Sequence, residues 1–111
     1  SVAGAATERL SAYSYSASKA ALHHLSRVLA TDLAGEHITV NAVLPGYFPT
    51  QMTSHIRAEA DKLAELVDRV PLGRLGSASD IAGVCIFLAS RAGSYVTGMN
   101  LSVDGGILGC R

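Results

Sequence analysis

The hydrophobic positions of this chain fall into blocks of different period. Through YSYSASKAALHHLSRVLATDL, Leu22, Leu25, Leu29 and Leu33 recur at three- and four-residue steps, the spacing of one helix face. This predicts a helix from near Ser14 that stops at Gly35, a residue suited to a left-handed terminus. The preceding SVAGAATERLSAY, small and polar with Gly4 early, reads as a strand end followed by a loop. His37 to Leu44 (HITVNAVL) is β-branched and nearly continuously apolar, as a strand covered by helices on both faces would be, and Pro45 and Gly46 bound it. From Ser54 to Val70, Ile56, Ala60, Leu63, Val67 and Val70 keep helical steps until Pro71, with polar residues on the other face, as in a surface helix or lid. Ser77 or Ser79 can cap a further helix, with Asp80 in its first turn and Ile81, Val84, Cys85 and Leu88 as its stripe, ending near Ser90. After a turn around Gly93 comes a short strand, Asn100 to Val103, and a glycine turn at Gly105 and Gly106.

Helix, strand, helix, helix, strand is the order of an α/β fold with a parallel sheet and crossover helices. Two strands are few for such a sheet, because a strand this apolar needs neighbours on each edge and helices on both faces. A chain of 111 residues holds one domain at most.

Composition narrows the partners. Nine basic and nine acidic residues cancel and are interspersed, so nothing marks the chain for nucleic acid or an anionic membrane. No apolar run reaches membrane-spanning length, and these residues show neither a secretory signal nor a C-terminal SKL or CaaX ending, which leaves an N-terminal address open because the chain reads as part of a longer one. Cys85 and Cys110 lack the spacing of a metal site or redox pair and read as thiols of a reducing compartment. His23 and His24 are adjacent and diverge on a helix, which suits surface or subunit-contact positions better than metal ligands.

The candidate chemistry lies in the first helix. Tyr15 and Lys19 are four residues apart, so a phenol and an ammonium share one face with Cβ atoms about 5–6 Å apart. A phenol alone holds its proton too tightly to pass it readily at neutral pH, and a neighbouring cation stabilises the phenolate. The pair is therefore a candidate proton donor and its tuner, able to serve an alcohol or carbonyl oxygen. Tyr13, Tyr47 and Tyr95 have Ala17, Gln51 and Met99 at the same offset, which leaves Tyr15 as the candidate. Taken alone, the spacing fits an exposed lysine beside a packed tyrosine equally well.

Further motifs agree with it. SVAG, YSASK with its following KAAL, ITVNAVLPGYFPTQM, the PLGRLG turn and VTGMNLSVDGG stand in an order and at spacings that resemble the C-terminal half of the short-chain dehydrogenase/reductase family, especially its 3-oxoacyl-carrier-protein reductases. The resemblance implies that residues 1–111 are the C-terminal portion of a Rossmann-like, doubly wound parallel sheet. It implies hydride transfer between NAD or NADP, with NADP slightly favoured, and a small ketone or secondary alcohol. It also implies a cytoplasmic homodimer or homotetramer.

By the same resemblance Tyr15 matches the family's general acid/base, Lys19 the lysine that makes it more acidic and binds the nicotinamide ribose, and Ser1 the serine that holds the substrate oxygen. Ser1 lies one residue further from the tyrosine than the commonest family spacing, which a loop can absorb. Ser11 and Ser14 are too near Tyr15 to replace it, and Ser14 is read as the helix cap. Pro45 and Gly46 match the motif beside the nicotinamide, Phe48 the position whose backbone meets the carboxamide, and Thr50 the hydroxyl that bonds the carboxamide or diphosphate. Without that context Pro45 and Gly46 fit a plain strand-ending turn as well. Met52, Ile56 and Leu63 fall in the family's substrate-lid region, although core packing explains them equally. Asp104, Gly105 and Gly106 match a structural terminus near subunit contacts, and Arg74 also reads as structural.

None of the eleven glycines forms a GxGxxG loop, and the family's NNAG segment is absent. The expectation is a part of a longer chain whose nucleotide-binding half lies elsewhere. Taken by itself it is expected to leave helix faces uncovered and strand edges unpaired. The competing expectation is a non-catalytic scaffold or subunit-interaction segment without cofactor binding.

Overall fold

Twenty-five residues without a glycine or proline, Arg9–Leu33, form helix α1. The computed structural model describes residues 9–49 and 60–110, giving only the backbone of residues 9–12. Serine and threonine are tolerated inside α1 because their hydroxyls donate to carbonyls one turn back: Ser18 to Tyr15 (2.8 Å), Ser26 to Leu22 (2.9 Å) and Thr31 to Arg27 (3.2 Å). The expected start near Ser14 is too late. The helix is under way from Arg9, so Ser14 lies in its second turn and cannot be its cap, and residues 9–13 are helical instead of a loop. Nothing in Leu10 to Tyr13 breaks a helix, which is why the ladder extends upstream of the apolar stripe.

The other end of α1 also differs from expectation. A 3₁₀ turn, Ala34–Glu36, continues the helix past Gly35, and the left-handed residue is His37, with φ 62°. Its N–H donates to the Ala34 carbonyl (3.0 Å), and the Ile38 N–H reaches back to Leu33 (3.3 Å). Tightening of the last turn moves the reversal two residues along, onto a residue type that enters this region more readily than β-branched ones do.

Two strands, β1 (Ala42–Pro45) and β2 (Asn100–Val103), pair in parallel, with Ala42 opposite Asn100 and Pro45 opposite Val103. The expected strand from His37 is therefore shorter. Beside residues 38–41 the partner is a turning segment, and the contacts are partly made by side chains. Val40 donates its N–H to the Thr97 hydroxyl (3.1 Å) and accepts from the Gly98 N–H (2.8 Å). Asn41 spans the gap, donating from Nδ2 to the Val96 carbonyl (3.0 Å) and accepting the Met99 N–H at Oδ1 (3.1 Å).

The crossover between the strands carries α2 (Ala60–Asp68) and α3 (Ala78–Ala89). Helix α2 ends three residues before Pro71, as the restriction on a residue preceding proline requires. Val70, 5% exposed, turns inward against Gly105. At the start of α3 the Asp80 carboxylate accepts the Ser77 N–H (2.7 Å), so Ser77 is the cap that sequence left open between two serines. Ala30 of α1, 4% exposed, lies against Gly98 in the segment that leads into β2.

Among the described residues Ala30 and Val70 are the buried apolar side chains. Leu22 (51% exposed) and Leu25 (49%) on α1, and Ile86 (68%) on α3, stand open. The uncovered helix faces expected from the short supply of strands are thus present.

Candidate active site

Because α1 is unbroken through Tyr15 and Lys19, the two side chains lie on successive turns. The Lys19 Nζ stands over the Tyr15 ring, 5.5 Å from its centre. Tyr15 is half-buried and Lys19 exposed. The ammonium therefore faces the π surface, a cation–π arrangement, instead of sitting beyond the hydroxyl.

The second part of the site is the loop that leaves β1. Pro45 is exposed at the strand end. The Gly46 N–H donates to the Val103 carbonyl (3.0 Å), and a Cβ built on Gly46 would lie 2.7 Å from the Cβ and 2.8 Å from the Cα of Asp104. Gly46 thus has a packing reason to be glycine, the close passage of the C-terminal turn, beside any approach to a ligand. The Tyr47 carbonyl accepts the Gly76 N–H (2.9 Å), and the Phe48 ring lies in the space that a Gly76 side chain would fill. Ser1 and Thr50 lie outside the described residues, as do Met52 and Ile56. Leu63 is half-buried on α2.

An open cleft of about 380 Å³ runs beside this loop, walled by Tyr47, Phe48, Val70, Leu72, Arg74 and Asp104. Its polar wall is internally matched. Arg74 donates two hydrogen bonds to the Asp80 carboxylate (2.8 and 3.1 Å) and one to the Leu75 carbonyl (3.0 Å). The Arg74 hydrogen bond, followed by those from the Ser77 N–H and hydroxyl, holds the Asp80 carboxyl well below the usual carboxylate range. Asp104 accepts the N–H groups of Gly106 and Leu108, both at 3.0 Å. Both side chains are thus engaged within the fold itself. Among the described residues no cluster of histidine, cysteine and carboxylate side chains could hold a metal, and no helix is long and apolar enough to cross a membrane.

Sequence reasoning brought Tyr15 and Lys19 together, and singled out Pro45, Gly46 and Phe48. It missed Asn41 and Gly76. An asparagine inside an apolar strand was a visible oddity, whereas the partner of Gly76 lies 28 positions upstream and leaves no local signal.

A family model described as enoyl-(acyl carrier protein) reductase matches residues 1–108. The chain is 47% identical over 106 residues to the rhamnolipids biosynthesis 3-oxoacyl-[acyl-carrier-protein] reductase of Pseudomonas aeruginosa, covering 96% of this chain and 41% of that protein. It is 50% identical over 95 residues to galactitol 2-dehydrogenase (L-tagatose-forming) of Cereibacter sphaeroides, covering 86% and 37%. Among solved structures, the Pseudomonas aeruginosa RhlG/NADP active-site complex superposes with a TM-score of 0.81 at 47% identity, over 96% of this chain and 43% of that one. A putative 2-deoxy-D-gluconate 3-dehydrogenase from Agrobacterium tumefaciens with bound NADP gives 0.80 at 44% identity, over 88% and 39%. The chain spans about two fifths of the length of the curated relatives it matches. With parallel strands in register, a tyrosine–lysine pair on one helix and a family match over nearly all its residues, the chain belongs to the short-chain dehydrogenase/reductase family.

Proposed function

We propose that the protein carrying this chain interconverts a ketone and a secondary alcohol with a nicotinamide cofactor, and that this chain supplies the proton-transfer side of the reaction. The observation that carries the reading is the Lys19 ammonium over the Tyr15 ring. The donor set suits the nicotinamide end of such a cofactor: an exposed ammonium for ribose hydroxyls, a phenol for the proton, and the strand-end backbone of Pro45, Gly46 and Phe48 for the ring and its carboxamide. Once bound, the nicotinamide gives or takes the hydride.

In the reductive direction Tyr15 Oη passes its proton to the substrate oxygen, and in the oxidative direction it takes that proton back. Lys19 favours the phenolate left behind and holds the ribose. Ser1 steadies the substrate oxygen, since a hydroxyl both donates and accepts as carbonyl becomes alcohol. Thr50 bonds the carboxamide or diphosphate. NADP is the favoured cofactor, supported by its presence in the two related structures named above. The substrate class common to the named relatives is a ketone with its secondary alcohol, whether 3-oxoacyl or polyol. A homodimer or homotetramer belongs to the same proposal, carried by the family resemblance alone.

The test is to titrate the natural full-length protein with NADPH and NADH, then assay it on a 3-oxoacyl thioester and on keto sugars. Cofactor binding with reduction of at least one class is expected. Failure to bind either cofactor, or binding without carbonyl reduction, would overturn the proposal.

A further inference from the structure

We infer that Gly76 is a positioning residue for the cofactor loop, holding Tyr47 by its N–H and seating the Phe48 ring in the space its absent side chain leaves. The inference rests on the reading that this loop faces the nicotinamide.

Two glycines of one turn are glycine for different reasons. Gly73 has a left-handed backbone, φ 73°, and a Cβ there would meet nothing within 4 Å, so its need is conformational. Gly76 is not among the glycines with positive φ, yet a Cβ there would run into three atoms of the Phe48 ring. Its need is space, at a point where backbone and side chain of the loop both touch it.

The turn itself is anchored on two sides. Arg74 is tied to Asp80 at the head of α3, and the Leu72 N–H donates to the Gly105 carbonyl (3.0 Å) in the C-terminal turn. Gly76 is thus a fixed support against which the loop rests. A methyl group added there displaces Phe48 more readily than it displaces the turn. Phe48 is the loop residue whose backbone is assigned to the carboxamide, so the displacement reaches the cofactor without Gly76 touching it.

The experiment compares Gly76→Ala, Gly73→Ala and the double variant Gly76→Ala/Phe48→Leu in the natural full-length protein, by NADPH fluorescence titration and thermal unfolding. Gly76→Ala is expected to weaken NADPH binding about tenfold or more. Gly73→Ala is expected to lower the unfolding temperature and leave affinity within about twofold. The smaller leucine relieves the overlap, so the double variant is expected to recover part of the lost affinity, and to fold if Gly76→Ala alone does not. Unchanged affinity in Gly76→Ala, equal losses in the two single variants, or no recovery in the double variant would overturn the inference. If the unsubstituted protein binds neither NADPH nor NADH, the reading of the loop fails and this inference with it.

Discussion

Gly46 and Asp104 meet at the ends of the two parallel strands, so closely that a Cβ on Gly46 would fall 2.7 Å from the Asp104 Cβ. The Gly46 N–H is bonded to Val103, and Asp104 is held by its own turn through Gly106 and Leu108. Neither side can yield easily. The strand that leads to the candidate site is therefore braced by the C-terminal turn.

Gly46→Ala is expected to cost about 1–3 kcal/mol in denaturant unfolding of the natural protein, the range for overpacking a fixed contact. Gly35→Ala is the control, because a Cβ there meets nothing within 4 Å and Gly35 has no positive φ. Equal midpoints for the two variants would contradict the brace.

The Asp80 cluster predicts an acid limb of stability. Its folded-state pKa lies below the unfolded value, chiefly through Arg74 and then Ser77, so the stabilisation is complete above the unfolded carboxylate range near pH ~4. It is lost as pH falls from there through the folded value. Asp80→Asn keeps the shape and removes the charge, so it is expected to lower the melting temperature more at about pH 7 than at about pH 2. A difference that does not change with pH would rule the ion pair out as its cause.

Asn41 spans Val96 and Met99 where the backbone ladder gives out. Asn41→Ala leaves a carbonyl and an N–H without this partner and is expected to cost about 1–3 kcal/mol. Chemical denaturation checks it; a change below about 0.5 kcal/mol would show that water replaces the side chain freely.

What was legible in the sequence was local. Strand β2 has the limits its pattern predicted, Asn100–Val103, and one of the two candidate serines, Ser77, is the cap of α3. The Tyr15–Lys19 contact follows from helix spacing alone. The ends of α1 were not legible, because the apolar stripe marks where a helix is covered and not where its ladder begins, and because a 3₁₀ turn carried the reversal from Gly35 to His37. The start of β1 was misplaced because residues 38–41 are β-branched enough for a strand but lie beside a turning partner. In the site, the bracing of Gly46 by Asp104 and of Phe48 by Gly76 joins residues far apart in sequence, and no pattern of period two or 3.6 encodes such pairs.

Lys19→Met keeps the stem over the ring and removes the charge. It is expected to lower kcat/KM for carbonyl reduction by about 100-fold or more at neutral pH, with part of the loss in NADPH affinity. Retention of full activity would deny the ammonium its role.

The central claim is tested most directly by the kcat of Tyr15→Phe, measured in the natural full-length protein at saturating NADPH with NADPH affinity determined alongside. Removing the hydroxyl while keeping the ring under Lys19 is expected to reduce kcat by about 10²–10⁴-fold, with affinity changed far less. A variant that reduces its ketone at the rate of the unsubstituted protein would contradict the assignment of Tyr15 as the group that moves the proton.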